Sequence, residues 1–230
     1  LDRIAPANSL IVADGIFSME GDIADLPGVV EVAERYGAVV MVDDAHAVGV
    51  LHESGAGTAR HFGVTDRVSL IMGTFSKALA SVGGFIAADA EVIHYIRHHA
   101  RALIFTTSLP AADTAAALAA MQILKAEPER IQVLWQNRDY VAQELTQMGY
   151  NIGRSTTPIL PLHLGQVDTV AWAWKRLHER GVFVNVAVPP AVPPNDCLIR
   201  CHIMATHTKA QLTRALEAFE AVGKEIGVLP

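Results

Sequence analysis

Apolar and polar positions along the chain fall into two alternating periods. Short apolar runs bounded by turn residues sit at Ser9–Ala13, Ala38–Val42, Val68–Met72 and Gly84–Ala87. Predominantly apolar runs of this length predict strands of a mainly parallel sheet, buried on both faces. Between the first two, Asp25-Leu26-Pro27 opens a helical pattern that Gly37 closes, with the proline in the first turn, where a missing N–H costs nothing. The strand–helix–strand order implies a parallel pair joined by a crossover helix. The glycine-rich stretch from Gly49 to Gly57 predicts a loop.

Further on, the pattern predicts a helix over Ala90–Arg101, an extended piece over Leu103–Ser108 and an alanine-rich helix to about Ala126. Glu127-Pro128-Glu129 interrupts the periodicity and marks a domain boundary, giving units of 1–127 and 128–230. The second unit reads as a helix over Arg130–Met148, strands over Ile159–Leu164, Val182–Val186 and Leu198–Ile203, and helices over Val167–Arg180 and Lys209 to about Gly223. The fold class is α/β: part of a large sheet domain followed by a small α/β domain.

Composition narrows the function without naming it. Of 230 residues, 51% are hydrophobic, enough for a sizeable core. The net charge of −6, with lysines and arginines scattered, disfavours nucleic acid or an anionic membrane as partner. No apolar run reaches the roughly 20 residues of a bilayer span, and Leu1-Asp2-Arg3-Ile4-Ala5-Pro6 does not resemble a signal peptide. Cys197 and Cys201 read as reduced thiols of a cytoplasmic protein, too far apart along a strand for an ordinary disulfide. The chain lacks an initiator methionine and reads as part of a longer protein. No metal is expected: Cys201, His202 and His207 match no zinc spacing, and His94, His98 and His99 read as a solvated helix face.

The candidate chemistry lies where strands end. Gly73-Thr74-Phe75-Ser76-Lys77 follows the third run, and Asp43-Asp44-Ala45-His46 follows the second. The carboxyl ends of strands are where open α/β sheets hold ligands. A lysine buried there either meets an anion or loses its proton. It can therefore bind a phosphate as an ammonium, or condense with an aldehyde as a neutral amine. For pyridoxal phosphate, Lys77 would form the Schiff base, Asp43 would pair with the pyridine nitrogen, and Thr74 and Ser76 would offer hydroxyls to the phosphate. Asp43-Asp44 alone would equally suit magnesium.

Four segments, in this order and spacing, resemble the α-oxoamine synthases. They are Asp14-Gly15-Ile16-Phe17-Ser18-Met19-Glu20-Gly21-Asp22, Val42-Asp43-Asp44-Ala45-His46, Gly73-Thr74-Phe75-Ser76-Lys77 and Thr106-Thr107-Ser108-Leu109-Pro110. The resemblance implies a fold-type-I pyridoxal-phosphate transferase, joining an amino acid to an acyl-CoA with loss of carbon dioxide to give an α-amino ketone. It implies Lys77 as the cofactor lysine and proton carrier, Asp43 as partner of the ring nitrogen, and His46 and Ser18 along the ring-hydroxyl edge. It further implies Thr74 and Ser76 on the phosphate, Thr106 reaching the phosphate of a neighbouring subunit in a homodimer, and Arg200 on the substrate carboxylate. Gly181–Pro190 looks more like the serine-using members than the glycine-using ones. Val188 departs from the pattern, because relatives often carry arginine there, which bears on the amino acid accepted. An α-oxoamine synthase of another substrate preference (amino-oxononanoate synthase or glycine C-acetyltransferase), a non-catalytic subunit and an aminotransferase are the competing readings.

Overall fold

The computed structural model describes residues 9–230, so the opening hexapeptide lies outside it. The chain divides into two compact units, one of residues 9–16 with Ala24–Pro128, the other of Phe17–Ile23 with Glu129–Pro230.

In the first unit, β1 (Leu10–Asp14), β2 (Val39–Asp43), β3 (Leu70–Thr74) and β4 (Gly84–Ala88) form one sheet in that order. The first three are parallel and β4 returns antiparallel to β3. Helix α1 (Leu26–Tyr36) forms where the sequence predicts it. Asp25 caps it by accepting the Gly28 N–H, and Gly37 ends it in the left-handed region at φ 63°. Its buried face, Leu26, Val30 and Ala33, packs on Val40 and Val42 of β2, with Ile11 and Ile71 alongside. This covers one side of the sheet only. On the opposite side Leu10, Val12 and Val39 are 53%, 58% and 40% exposed, so the expectation of strands buried on both faces does not hold within this unit.

The short helix α2 (Thr58–His61) follows the glycine-rich loop. The helix predicted over Ala90–Arg101 stops earlier, as α3 (Ala90–His99), because Ala100 is extended at ψ 102°. Arg101–Ile104 then forms a separate turn, α4, which takes in the first two residues of the piece expected to be extended over Leu103–Ser108; the Phe105 N–H returns to the Arg101 carbonyl. Alanine and leucine favour helix here, and no neighbouring strand competes for their backbone groups. The alanine-rich helix is α5 (Ala111–Ala126).

The second unit holds α6 (Glu129–Met148), β5 (Ile159–Gly165), α7 (Val167–Glu179), β6 (Asn185–Ala187), β7 (Cys197–His202) and α8 (Lys209–Glu225). Its sheet is antiparallel in the order β5-β7-β6. Leu145, Leu160, Leu162, Leu177, Ile199 and Phe219 are among the residues of one continuous core. Strand β6 starts three residues later than predicted. Gly181 closes α7 at φ 76°, and the Val184 carbonyl accepts the Trp174 indole N–H, so 182–184 is not free to pair in the sheet. Cys197 and Cys201 are buried free thiols.

Candidate active site

Strand parity sorts the side chains of the first unit. Val40 and Val42 face α1, so Met41 and Asp43 point to the other side. Asp14 is the registered partner of Asp43 on β1, and Met72 its partner on β3; Thr74 lies two residues beyond Met72 on the same face. Asp14, Asp43 and Thr74 therefore share one face at the carboxyl ends of three adjacent strands.

Lys77 stands three residues past β3, in the loop to β4. That loop is braced by Phe75 N–H to Gly83 O, Ser81 N–H to Phe75 O, and the Ser81 hydroxyl to Asp113 O at 2.6 Å. Lys77 Nζ donates back to Thr74 Oγ1 at 3.3 Å, which carries the amine toward the face of Asp43. The lysine is exposed, contrary to the premise that it is buried, because the chain has already left the sheet when it reaches residue 77. Ser76 is exposed beside it.

Asp43 Oδ1 accepts the Ala45 N–H at 2.9 Å, and Oδ2 takes no hydrogen bond from the described residues. Its neighbour Asp14 has a carboxyl pushed above the ordinary aspartate value, first by burial and then by the charge of Asp43. His46 is half-buried in the loop that leaves β2, three residues after Asp43. Thr106 follows α4, fully on the surface.

The remaining two predicted residues belong to the second unit. Ser18 lies in the Phe17–Ile23 segment, a turn closed by Phe17 N–H to Asp22 O and Gly21 N–H to Phe17 O. The segment is fastened by Thr157 Oγ1, which donates to Gly21 O at 2.8 Å, and by Met19 packed on Leu198. Arg200 sits on the central strand β7, between Pro161 and Asn185. Burial weakens its hold on the proton, an effect partly offset by Glu20, and its buried Nε has no hydrogen-bond partner among the described residues.

Thus Lys77 and Thr74 meet directly, Asp43 shares their strand face, and His46 is tied to Asp43 through the chain. Sequence reasoning passed over Asp14, although it ends a strand just as Asp43 does. It also missed Thr58, whose backbone N–H reaches the carboxylate of Asp44 at 2.8 Å from fourteen positions away, a contact no local pattern could reveal.

The family profile for aminotransferase class I and II matches residues 1–219. A serine palmitoyltransferase of Sphingobacterium spiritivorum is 51% identical over 216 residues, which is 94% of this chain and 54% of that one. The chain belongs to the aminotransferase class I and II family, in its α-oxoamine synthase branch. Another member, an 8-amino-7-oxononanoate synthase of Alkaliphilus oremlandii, is 46% identical over 222 residues, covering 96% of this chain and 56% of that one. Among solved structures of the family, the serine palmitoyltransferase of S. paucimobilis with bound PLP–myriocin aldimine superposes with a TM-score of 0.95. It shares 35% identity and covers 99% of this chain and 58% of that one. The chain thus has the fold-type-I transferase fold and spans about half the length of the curated relatives it matches.

Proposed function

We propose that the full-length protein is a pyridoxal-phosphate acyltransferase that condenses an amino acid, serine by preference, with an acyl-CoA. Carbon dioxide is lost and an α-amino ketone of the sphingoid-base type is released into the cytoplasm. Residues 1–127 would be the carboxyl-terminal part of its large cofactor domain and 128–230 its small domain. The observation carrying this reading is the Lys77–Thr74 hydrogen bond on the strand face that also bears Asp43.

The residues present suit the cofactor. They offer a primary amine for its aldehyde, a carboxylate oxygen without a donor for its ring nitrogen, and hydroxyls at 74 and 76 for its phosphate. Bound there, pyridoxal phosphate supplies an electron sink for the negative charge that develops on the amino acid's α-carbon. Lys77 Nζ would tether the aldehyde and would carry the α-proton. Asp43 would accept the N–H of the ring nitrogen and so favour its protonated form. His46 and Ser18 would serve the ring-hydroxyl edge. Thr74 and Ser76 would hold the phosphate, joined by Thr106 of a second copy in a homodimer. Arg200 takes the substrate carboxylate; its half-buried guanidinium with an unpartnered Nε supports this assignment. The isopropyl side chain of Val188 would offer the substrate carboxylate no second charge.

The decisive experiment is Lys77→Ala in the full-length protein. Borohydride should no longer fix the cofactor covalently, and carbon dioxide release should fall at least ~100-fold. Undiminished trapping would end the reading. The relatives named 8-amino-7-oxononanoate synthase, at 46% identity, support a second reading. Carbon dioxide release measured with serine, glycine and alanine against short and long acyl-CoAs separates the two. Preference for alanine would favour the second.

A further inference from the structure

Asp44 has no part in the chemistry above, yet it is a carboxylate enclosed in the interior of the first unit. By parity it points away from Asp43, toward the side of the sheet covered by α1 and α2, and it is wholly buried. A buried carboxylate is costly unless donors meet it. Its Oδ2 accepts the Thr58 backbone N–H at 2.8 Å. Its Oδ1 and the Thr58 hydroxyl are both buried without a well-formed hydrogen bond, and the hydroxyl and N–H of Thr58 together offset only part of the burial that pushes the carboxyl up.

The slot exists because two flanking residues lack side chains. A Cβ at Gly15 would stand 2.1 Å from Oδ1, and one at Gly57 would stand 2.1 Å from Oδ2. Between Asp44 and Thr58 runs the loop of residues 45–57, which carries His46. The loop is internally bonded, with Gly49 N–H to Gly55 O at 2.8 Å and a bridge between Val48 and Ala56. At its entrance the Asp44 carbonyl accepts the N–H groups of Ala47 and Val48, and at its exit the Asp44 carboxylate grips Thr58. One residue therefore closes both ends of the loop, next in the chain to Asp43.

We propose that Asp44 is a positioning residue: by tying the base of the 45–57 loop, its carboxylate holds the Asp43 carboxylate and the His46 ring where the cofactor needs them. This rests on the pyridoxal-phosphate reading of the site. Asparagine should substitute well, since its amide oxygen can accept from Thr58 N while its NH2 meets the unpartnered Thr58 hydroxyl.

The test compares cofactor-free full-length wild type, Asp44→Asn and Asp44→Ala. One readout is amide hydrogen exchange. The other is titration with pyridoxal phosphate, followed by visible absorbance across pH. In Asp44→Ala, exchange over residues 45–58 should quicken at least ~10-fold while β5 and β7 keep their protection. Cofactor affinity should fall about 10-fold, and the pH midpoint of the absorbance should move. Asp44→Asn should stay within about 3-fold of wild type on each measure. If Asp44→Ala does not fold, Gly15→Ala, whose Cβ would displace Oδ1, should give the same local loosening and the same spectral shift. The role is overturned if loop exchange is unchanged, or if it quickens while affinity and absorbance profile stay as in wild type. It is also overturned if asparagine is as damaging as alanine. Wild-type protein that takes up no pyridoxal phosphate sinks the parent reading and this one with it. Uptake combined with any of the three adverse results sinks only the role of Asp44.

Discussion

Asp14 and Asp43 are registered partners on neighbouring parallel strands and face the same way. Burial and the Asp43 charge raise the Asp14 carboxyl above its ordinary 3.8, so the folded chain holds that proton more tightly than the unfolded chain does. Its effect on stability is therefore nil in acid and becomes unfavourable as pH climbs past about 4. Asp14→Asn should raise the Tm of cofactor-free protein at neutral pH, with the gain vanishing below the ordinary aspartate value. A gain that persists in acid would point to packing instead of charge. In the second unit, Arg200→Lys keeps the positive charge but loses the planar fork. It should raise KM for the amino acid about 10-fold or more while leaving KM for the acyl-CoA nearly unchanged. Steady-state kinetics with each substrate varied in turn would check this.

Elements specified by local signals were legible in the sequence. Helix α1 has its Asp25 cap and its Gly37 stop, and both act as read. Gly37 offers a clean measure of that stop, because a Cβ there would meet nothing within 4 Å and only the backbone at φ 63° resists it. Gly37→Ala should cost about 1 kcal/mol, seen as a lower urea midpoint at unchanged slope. Features fixed by distant partners were not legible. Nothing in Leu103–Ser108 shows that Ala100 will be extended and the next residues helical, and nothing before residue 185 shows that Trp174 will claim the Val184 carbonyl. The candidate site divides in the same way. Lys77 and Asp43 stand out because each follows an apolar run. The Asp44–Thr58 contact spans fourteen positions with no periodic trace. Exposure was misjudged for a related reason: a run such as Leu10–Asp14 records what a strand is suited to face, and only one side is covered within this unit.

At the scale of the whole molecule, α4, the residue after it and α5 expose apolar side chains: Leu103 is 50% exposed, Phe105 80% and Leu118 59%. The proposed homodimer would cover such residues and bring Thr106 to the partner's phosphate. Phe105→Asp should shift the full-length protein toward monomer in sedimentation velocity and weaken cofactor retention in parallel. Monomer with undiminished retention would remove Thr106 from the site. A different hazard follows from β1. Among the described residues it is the outer strand of its four-stranded sheet, and its rim runs along Leu-Ile-Val-Ala, uncharged until Asp14. Such a rim is a template for another copy of itself. The 230-residue polypeptide, expressed alone, should form thioflavin-positive fibrils as its concentration rises, and a lysine in place of Val12 should delay them.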